Sequence, residues 1–300
     1  MNNGISIILV NYNSFELTRQ CIDSIYMQIK DEDIEIIVVD NCSSDSSIEK
    51  LDKIFPSIKL IRSKENSGFG RANNLGVQSS TKEYIFLLNA DTILHNDPFP
   101  FFFYLFEKYK DIGIAGALLT NKDGRNSLSG GNTYSIRKYL RLALKRYKYR
   151  ILHKRIDFTE QEVDFNKQEQ QVDYVIGADM FLKRELFLEA GGFDPHIFMY
   201  FEDVEFCHRV SDMGYKMWLT AGPSITHLEG SGNKKTEFQR LHNTASLMYC
   251  MRKKYNIFEF RLFQIAFFIL KFPLIFEKGK QKENWQYLLT IFQYKRYLLN

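Results

Sequence analysis

Cysteine is scarce in this chain of 300 residues, which holds Cys21, Cys42, Cys207 and Cys250. No two of them stand close enough to form a C-x-x-C pair, so the sequence offers no zinc-finger or thiol-redox motif of that kind. We therefore expect four free thiols in a reducing compartment.

A secretory leader and a long apolar run are also missing. The first residues, MNNGISIILVNYNS, show no basic start, apolar core and small-residue cleavage site. The apolar stretch at 262–276 is shorter than the roughly 20 residues that cross a bilayer, and Lys271 and Pro273 interrupt it. We expect a cytoplasmic protein, peripheral at the inner face of the cell membrane.

The net charge is small, at +4, which argues against a nucleic-acid-binding protein. The basic residues are nevertheless concentrated in two segments. Residues 136–155 carry nine Lys and Arg and no acid, and the tail at 252–300 carries ten against three Glu. The first segment is either a solvated basic helix or an amphipathic helix that contacts anionic lipid or substrate. The stretch 262–276 either packs on the core or lies in the membrane interface, which its basic and Tyr/Trp flanks favour.

Short apolar runs alternate with helical patterns along the first 120 residues. The runs predicted as buried strands cover residues 5–10, 34–40, 58–63, 83–91 and 112–119. Continuous apolar strands separated by helices predict an α/β fold with a mainly parallel central sheet flanked by helices. The length fits one large domain or one domain with appendages.

Polar residues stand at or just after the ends of the predicted strands, namely Asn11, Asp40, Asn66 and Asp91. Ligands of parallel sheets bind beyond the carboxyl ends of the strands, so these groups should converge on a ligand. Asn89 lies on the same strand face as Asp91 because strand side chains alternate. Asp91 is either a helix cap or a ligand for Mg²⁺, which one or two carboxylates and substrate phosphates commonly hold.

The segment ENSGFGRANN, residues 65–74, combines glycines with a guanidinium group. Gly68 and Gly70 permit close backbone approach, and Arg71 offers a fork of donors for phosphate or base. The third glycine of a dinucleotide fingerprint is missing, and NYNS rather than glycines follows the first strand. A hydride-transferring Rossmann enzyme is therefore disfavoured.

Acidic residues follow an aromatic run in HIFMYFEDVEFCHR, residues 196–209. Glu202 and Asp203 are either favoured by the dipole of a starting helix or form a partly desolvated pair that includes a general base. The aromatic residues at 198–201 could offer a platform to the apolar face of a sugar. His227, in ITHLEGSG, is either structural or a further ligand beside Asp91.

Five motifs in order carry a resemblance to a known family: VDNCSSD (39–45), ENSGFGRANNLG (65–76), LLNADT (87–92), GADMFLKRELFLEAGGFDPHIFMYFEDVEFCHRV (177–210) and ITHLEGSG (225–232). Over residues 4–255 the chain resembles the inverting family 2 glycosyltransferases. It looks most similar to the rhamnosyltransferase-like branch, which builds bacterial surface polysaccharides.

The resemblance implies a GT-A fold over residues 1–255. A nucleotide-sugar-binding half at 1–120 would precede an acceptor-binding half at 121–255 with the basic insertion 136–155, and 256–300 would form an amphipathic C-terminal extension. It also implies a divalent cation, Mg²⁺ or Mn²⁺, and a nucleotide-diphosphate sugar donor, dTDP-rhamnose or a UDP-hexose. The acceptor would be lipid-linked or a polysaccharide, and no nucleic acid is implied.

The resemblance assigns roles residue by residue. The donor would be contacted by Asn11, Asp40, Arg71, Asn74, Asn89 and Asp91. Asp91 and His227 would bind the metal, and Asp203 would be the catalytic base with Glu202 beside it.

This sequence departs from the family at two places. Asn89 replaces the first acid of Asp-x-Asp, from which we expect weaker metal binding, and Pro195-His196 replaces an acidic position, which leaves the acceptor contacts open.

Two other functions compete with sugar transfer. A nucleotide-sugar-binding protein without transfer activity is compatible with Asn89, although Glu202, Asp203 and His227 argue against it. A nucleotidyltransferase would carry a phosphate-binding loop rich in Gly and Arg or Lys directly after the first strand, and NYNSFEL is not such a loop.

Overall fold

The structure is a computed structural model that describes residues 4–30, 33–44, 46–132, 135–152, 163–228 and 236–299. Its contacts divide the chain into two compact units. The first unit comprises 1–132, 162–195 and 202–233, and the second comprises 133–161, 196–201 and 234–300.

The strands of the first unit follow the predicted apolar runs and add several short ones. They are β1 (Ile5–Asn11), β2 (Ile34–Asp40), β3 (Lys59–Arg62), β4 (Tyr84–Asn89), β5 (Thr92–Leu94), β6 (Ile112–Ala117), β7 (Gly130–Gly131), β8 (Glu169–Val172), β9 (Tyr174–Val175), β10 (Asp179–Lys183), β11 (Lys216–Thr220) and β12 (Ile225–His227).

Helices separate these strands and make up most of the second unit. They are α1 (Phe15–Gln28), α2 (Leu51–Ile54), α3 (Phe69–Gln78), α4 (Phe99–Lys108), α5 (Ile136–Leu152), α6 (Arg184–Glu189), α7 (Glu202–Asp212), α8 (Glu237–Lys254), α9 (Ile257–Lys271) and α10 (Gln281–Gln293). Short 3₁₀ helices cover Ser46–Lys50, Phe272–Phe276 and Tyr294–Tyr297.

Eight strands form the central sheet in the order β3-β2-β1-β4-β10-β6-β11-β8. The first four are parallel to one another, and β11 is parallel to β6. Strand β10 runs antiparallel to both of its neighbours, β4 and β6, and β8 runs antiparallel to β11 at the edge. The predicted α/β sheet with mainly parallel strands and flanking helices is confirmed.

The inner strands have continuous apolar sequences because helices cover both faces of the sheet. Side chains alternate along each strand, so Ile7 and Phe86 pack into one core while Ile8 and Leu87 pack into the other. These four side chains are completely buried. A parallel sheet buried on two faces needs such runs, which is why the strands were readable from the sequence.

Phe181, on β10, is the centre of an aromatic cluster on one face of the sheet. Its ring lies 5.2 Å from that of Tyr84 and 5.2 Å from that of Phe102, both stacked. Edge-on contacts at 5.3 Å and 5.7 Å come from Phe103 and Phe106 on α4. The phenylalanine-rich sequence of α4 is thus explained by its packing against β10 and β4.

The second unit is helical within the described residues. Helix α8 begins with a capping box between Thr236 and Gln239, and the side chain of Asn256 caps α9. Helix α5 packs on α9, and α8 packs on α10. Near the chain end, the backbone N–H of Leu299 donates to the carbonyl of His196 at 2.9 Å, which joins the tail to segment 196–201.

The division into units differs from the predicted boundary after residue 255. Helix α8, which ends at Lys254, groups with the helices that follow it, and so does α5. The predicted insertion 136–155 forms this helix up to Leu152, and residues 153–155 lie outside the described residues. None of the described helices has the length and hydropathy needed to span a membrane.

Replacing Phe181 by Ala should lower the free energy of unfolding by about 3–5 kcal/mol, because the cavity would remove several ring contacts at once. The two tryptophans allow this to be measured in one unit. In a Trp285→Phe background, the fluorescence of Trp218 on β11 reports denaturant unfolding of the first unit alone. The control Phe258→Ala removes a side chain that is 70 % exposed and should change nothing measurable. Equal midpoints for Phe181→Ala and the parent would contradict the packing.

Candidate functional site

The parallel register of β1 and β2 brings two predicted site residues together, because Asn11 is aligned with Asp40. The Nδ2 of Asn11 donates to Oδ1 of Asp40 at 2.9 Å and to Oγ of Ser43 at 3.0 Å. The hydroxyl of Thr18 donates to Oδ1 of Asn11 at 2.7 Å. Both Asn11 and Asp40 are buried. In this arrangement Asn11 orients Asp40, and the Ser43 hydroxyl also donates to it.

A second amide network shapes the loop before α3. The Nδ2 of Asn41 donates to Oδ1 of Asn66 at 2.9 Å, and Oδ1 of Asn41 accepts from the N–H of Ser67 at 3.0 Å. Gly68 stands directly before α3 with φ of 85°, a conformation that favours glycine. The network ties Asn41, which follows β2, to the loop between β3 and α3.

Arg71 and Asn74 on α3 hold the turn at 192–195 in this structure. The Nε of Arg71 donates to the carbonyl of Pro195 at 2.7 Å. Asn74 pairs with both backbone groups of Phe193, each at 2.8 Å. Gly192 has φ of 67°, and a Cβ there would lie 2.7 Å from Oδ1 of Asn74. The predicted contact of Arg71 and Asn74 with a nucleotide-sugar donor stays a prediction.

Asp91, His227 and Asn89 lie together at the carboxyl end of β4, whose last residue is Asn89. Strands β5 and β12 pair antiparallel, and the N–H of Leu228 donates to the carbonyl of Asp91 at 2.8 Å. The Nε2 of His227 lies 3.2 Å from Oδ1 of Asp91 and 3.3 Å from Nδ2 of Asn89. The pairing of two short strands thus brings residues from distant parts of the chain into one cluster.

The donor set of this cluster fits one divalent cation that also takes oxygens from its substrate. The cluster offers a carboxylate from Asp91 and an imidazole from His227. Oδ1 of Asn89 is buried and has no hydrogen-bond partner among the described residues, so it is available as an oxygen ligand. No group of three or more Asp, Glu, His or Cys side chains suited to a metal occurs among the described residues. Phosphate oxygens would therefore have to complete the coordination of Mg²⁺ or Mn²⁺.

Asp203 lies in the first turn of α7 and is held by backbone N–H groups. Its Oδ2 accepts from Gly177 at 2.9 Å, and its Oδ1 accepts from Val204 at 2.8 Å. A Cβ on Gly177 would lie 3.1 Å from the ring of Phe69 and 3.7 Å from Cβ of Asp203, so a small residue suits this position. Gly177 stands in the motif GAD, and its contribution depends on a contact with Asp203 that sequence spacing does not reveal.

One short segment links Asp203 to the cluster around Asp91. The carbonyl of Ala178 accepts from the N–H of Asn89 at 2.9 Å, and Gly177, the preceding residue, donates to Asp203. Asn89 and Asp203 therefore contact two consecutive residues of this segment, Ala178 and Gly177. The two acids predicted to bind metal and to act as base thus belong to one edge of the first unit.

The three acids of the motif have different surroundings. Burial, together with the charge of Asp203, raises the pKa of Glu202 to about 8, and Oε2 of Glu202 has no hydrogen-bond partner within the part of the chain that the structure describes. Glu205 is paired on both oxygens with Arg209, whose Nη2 also donates to the carbonyl of Gly192 at 2.6 Å and whose Nη1 donates to the carbonyl of Ala190. Arg209 thus joins α7 to the turn at 190–192, and Glu205 orients Arg209 as a structural residue.

The aromatic run before these acids belongs to the second unit. Phe198 packs on Phe238 and His242 of α8, with ring centroids 5.8 Å and 4.8 Å away. Tyr200 and Phe201 have φ of 66° and 71°, which is rare for bulky residues and indicates a strained backbone. The predicted sugar platform stays a prediction, and the contacts shown here hold the run against α8.

Sequence reasoning missed two groups besides Gly177. Ser43 supports Asp40, and it stood unassigned in the motif VDNCSSD. Asp179 is fully buried, and this burial raises its pKa well above the usual range. Its carboxyl accepts from the N–H of Ala117 and so joins β10 to β6. The sequence signal that could have identified Asp179 is an acidic residue in an otherwise apolar strand pattern.

Glu202→Gln should remove a pH-dependent weakness of the first unit. Because the folded-state pKa is raised, the folded protein retains a proton that the unfolded chain loses above about pH 4.5. Stability should fall as pH rises from there to about 8, with a slope of at most about 1.4 kcal/mol per pH unit, and then level off. The variant should lack this fall.

The measurement is denaturant unfolding at several pH values, followed by Trp218 fluorescence in the Trp285→Phe background. Glu185→Gln, which changes an exposed acid on α6 of the same unit, is the matched control and should keep the parent's pH profile. Parallel profiles for Glu202→Gln and the parent would show that Glu202 ionises normally.

Comparison with protein families and curated sequences gives consistent results. The family model described as glycosyl transferase family 2 matches residues 6–187. The poly-beta-1,6-N-acetyl-D-glucosamine synthase of Staphylococcus aureus strain COL is 32 % identical over 128 residues, which are 42 % of this chain and 30 % of that protein. The Staphylococcus epidermidis synthase is 30 % identical over the same length. The match thus spans less than a third of these curated relatives.

Solved structures share the fold. GalNAc-T7 with UDP, GalNAc and Mn²⁺ has a TM-score of 0.58 at 15 % identity, over 88 % of this chain and 55 % of that one. Staphylococcus aureus TarS 1–349 has 0.57 at 12 %, over 97 % and 80 %. The mannosyltransferase PcManGT from Pyrobaculum calidifontis, with GDP-Man and Mn²⁺, has 0.55 at 18 %, over 97 % and 73 %. At these identities the likeness shows the GT-A fold alone.

Proposed function

The chain belongs to glycosyl transferase family 2, and from this premise we propose that it transfers a sugar from a nucleotide-diphosphate donor to a hydroxyl of a lipid-linked or polysaccharide acceptor, with inversion. The observation that carries the proposal is the placement of Asp203. Gly177 holds this carboxylate, and the next residue, Ala178, pairs with Asn89 of the Asp91–His227 cluster.

The chemistry begins at the carboxylate of Asp203. It accepts the proton of the acceptor hydroxyl, whose oxygen attacks the anomeric carbon of the donor. The bond from that carbon to the diphosphate oxygen breaks on the opposite side, so the configuration inverts. The proton remains on Asp203 and the electron pair leaves with the nucleoside diphosphate. General base catalysis of this kind contributes roughly 10²- to 10⁴-fold.

The donor lies along the carboxyl ends of the parallel strands in this proposal. Asp40, oriented by Asn11 and Ser43, contacts the nucleoside. Arg71 and Asn74 lie nearby on α3. Asp91, His227 and Oδ1 of Asn89 would hold a divalent cation at the diphosphate. When bound, such a cation neutralises charge that develops on the departing group. Glu202, protonated near neutral pH, limits the negative charge beside Asp203.

The donor and acceptor classes follow from the relatives only as proposals. A UDP-hexose or its N-acetylated form is the first donor to test, because the curated relatives are named as synthases of an N-acetylglucosamine polymer. The dTDP-rhamnose donor stays the alternative, although none of the relatives named above is a rhamnosyltransferase. For a lipid-linked or polymeric acceptor of a cell-surface glycan, we propose that the reaction takes place at the inner face of the membrane.

A donor-binding protein without transfer activity is the competing function, and Asn89 is the observation that favours it. Replacing an acid by an amide weakens the negative field that holds a divalent cation. Slow metal-dependent hydrolysis of the donor separates the two functions, since a binding-only protein should release no nucleoside diphosphate.

Asp203→Asn should abolish transfer and donor hydrolysis while donor binding survives. The amide retains one acceptor oxygen for the backbone N–H groups but does not take a proton. The rate of nucleoside diphosphate release from UDP-hexoses and dTDP-rhamnose should fall by roughly 10²-fold or more. Titration calorimetry with the same donors should give unchanged dissociation constants.

The control for this variant is Asp212→Asn, which removes an exposed carboxylate from the same helix and should retain the parent's rate. Turnover of Asp203→Asn at the parent's rate would refute the assignment of the base. Loss of donor binding in this variant would assign Asp203 to donor recognition instead.

Asp91→Asn should weaken metal-dependent donor binding, because it removes the carboxylate of the cluster. Calorimetric titration of UDP, GDP and dTDP, each with and without Mn²⁺, should show a metal-enhanced affinity in the parent for the cognate nucleotide. We expect the enhancement to disappear in Asp91→Asn and to increase in Asn89→Asp, which restores a second carboxylate. If Mn²⁺ enhanced nucleotide affinity equally in all three proteins, the cation would have to bind at another site.

A further inference from the structure

The two units carry charge of opposite sign. In the sequence ranges of the second unit, 22 Lys and Arg stand against six Asp and Glu, whereas the first unit has 18 against 30. The small net charge of the whole chain is therefore the sum of an acidic first unit and a strongly basic, helical second unit. Such a segregation is not needed for folding, and it indicates an anionic partner for the second unit.

Helix α9 and the 3₁₀ helix after it are apolar on two faces. The inner face is buried and includes Phe260, Phe263, Phe267 and Leu274. The outer face is an exposed stripe at alternating spacings of four and three residues: Phe258, Leu262, Ile265, Ile269, Phe272 and Phe276. We call these six residues the apolar stripe. Ile269 is 59 % exposed and Phe276 is 72 % exposed.

Ring contacts extend this stripe onto α10. The ring of Phe272 lies 6.1 Å from that of Phe276 and 5.7 Å from that of Phe268. Phe268 in turn lies 5.4 Å from Phe292, which is exposed on α10, as is Trp285 seven residues before it. Phe272, Phe276 and Phe292 are thus joined through Phe268 in one surface and are not scattered singly. Connected apolar surfaces of this kind mark interaction sites.

Basic residues stand at both ends of the stripe. Arg252, Lys253 and Lys254 precede α9, and Lys278, Lys280 and Lys282 follow Phe276. Apart from the half-buried Lys254, these side chains are exposed. Helix α5, which packs on α9, adds seven Lys and Arg and no acid. Three Glu in the tail only partly offset this charge.

We propose that the apolar stripe, with Trp285 and Phe292, docks on the surface of an anionic lipid bilayer. An interfacial helix combines an apolar face, aromatic residues and basic flanks, and it lies in the plane of the membrane without crossing it. A symmetric dimer through this surface fits less well, since two strongly basic second units would repel each other. The inference deepens the proposed function by bringing the enzyme to lipid-linked acceptors, but lipid binding itself does not require transfer activity.

The test uses the full-length protein and lipid vesicles, without donor or metal. The protein should co-sediment with vesicles of phosphatidylcholine that contain about 30 % phosphatidylglycerol, and much less with phosphatidylcholine alone. Raising the salt to about 0.5 M should weaken binding, because the Debye length then falls well below its physiological value. The double variant Ile269→Ser/Phe276→Ser should bind roughly tenfold or more weakly.

The matched control is Leu128→Ser/Leu188→Ser, which changes two exposed apolar residues of the first unit in the same way and should bind vesicles as the parent does. Deletion of the tail is a poorer test, since it removes α9 and α10 and would expose the surfaces of α5 and α8 on which they pack. Circular dichroism melts of both double variants verify that they fold.

Failure of the parent protein to co-sediment with anionic vesicles would overturn the inference, and so would equal binding by the stripe variant. Sedimentation velocity gives a further check. A dimer that the stripe variant dissociates would assign this surface to a second copy. Donor hydrolysis measured on the same proteins distinguishes the two proposals. A protein that hydrolyses the donor but does not bind vesicles refutes only the docking surface. A protein that binds vesicles but does not hydrolyse the donor refutes only the transfer.

Discussion

The antiparallel pairing of β10 with β4 is the interaction on which the candidate site depends. Strand β4 ends in Asn89, two residues before Asp91, and the chain that enters β10 carries Gly177 and Ala178. Backbone hydrogen bonds join Ala178 to Asn89 and Gly177 to Asp203, so one reversed strand connects residues separated by more than a hundred positions. A parallel strand at this place would put its entry at the opposite edge of the sheet, because parallel strands all begin at the same edge.

Neighbouring acids acquire different chemistry from their surroundings. Glu202 is desolvated, and one of its oxygens has no partner in the described ranges of the chain, which favours the neutral form. Glu205 stays tied to Arg209, and Asp203 is presented by two backbone N–H groups. A buried neutral Glu202 beside Asp203 avoids two adjacent negative charges in one pocket of low dielectric. In the proposed function, Asp203 is therefore the reacting carboxylate of the acidic motif, and Glu202 and Glu205 support it.

The second unit explains the composition of the chain. Its helices need apolar residues on the inner face for packing, and the same helices display a further apolar surface outside. A helix that is apolar all round is usually buried or in contact with lipid. The basic residues gathered in this unit balance the acidic first unit in number while leaving each unit charged. The high aromatic content follows from both the Phe181 cluster and this surface.

The sequence by itself determined the buried strands, the alternation with helices and the polar residues at strand ends, because hydrophobic periodicity and chain order are local properties. It also indicated Asp91 and Asp203 as the acids of interest through motifs. Only the tertiary structure decided that β10 runs antiparallel, that Gly177 holds Asp203, and that Arg71 and Asn74 hold the turn at 192–195. These contacts join distant segments, and their geometry depends on packing that no local pattern encodes. The same holds for the units, since α5 and α8 are assigned by their contacts and not by their position along the chain.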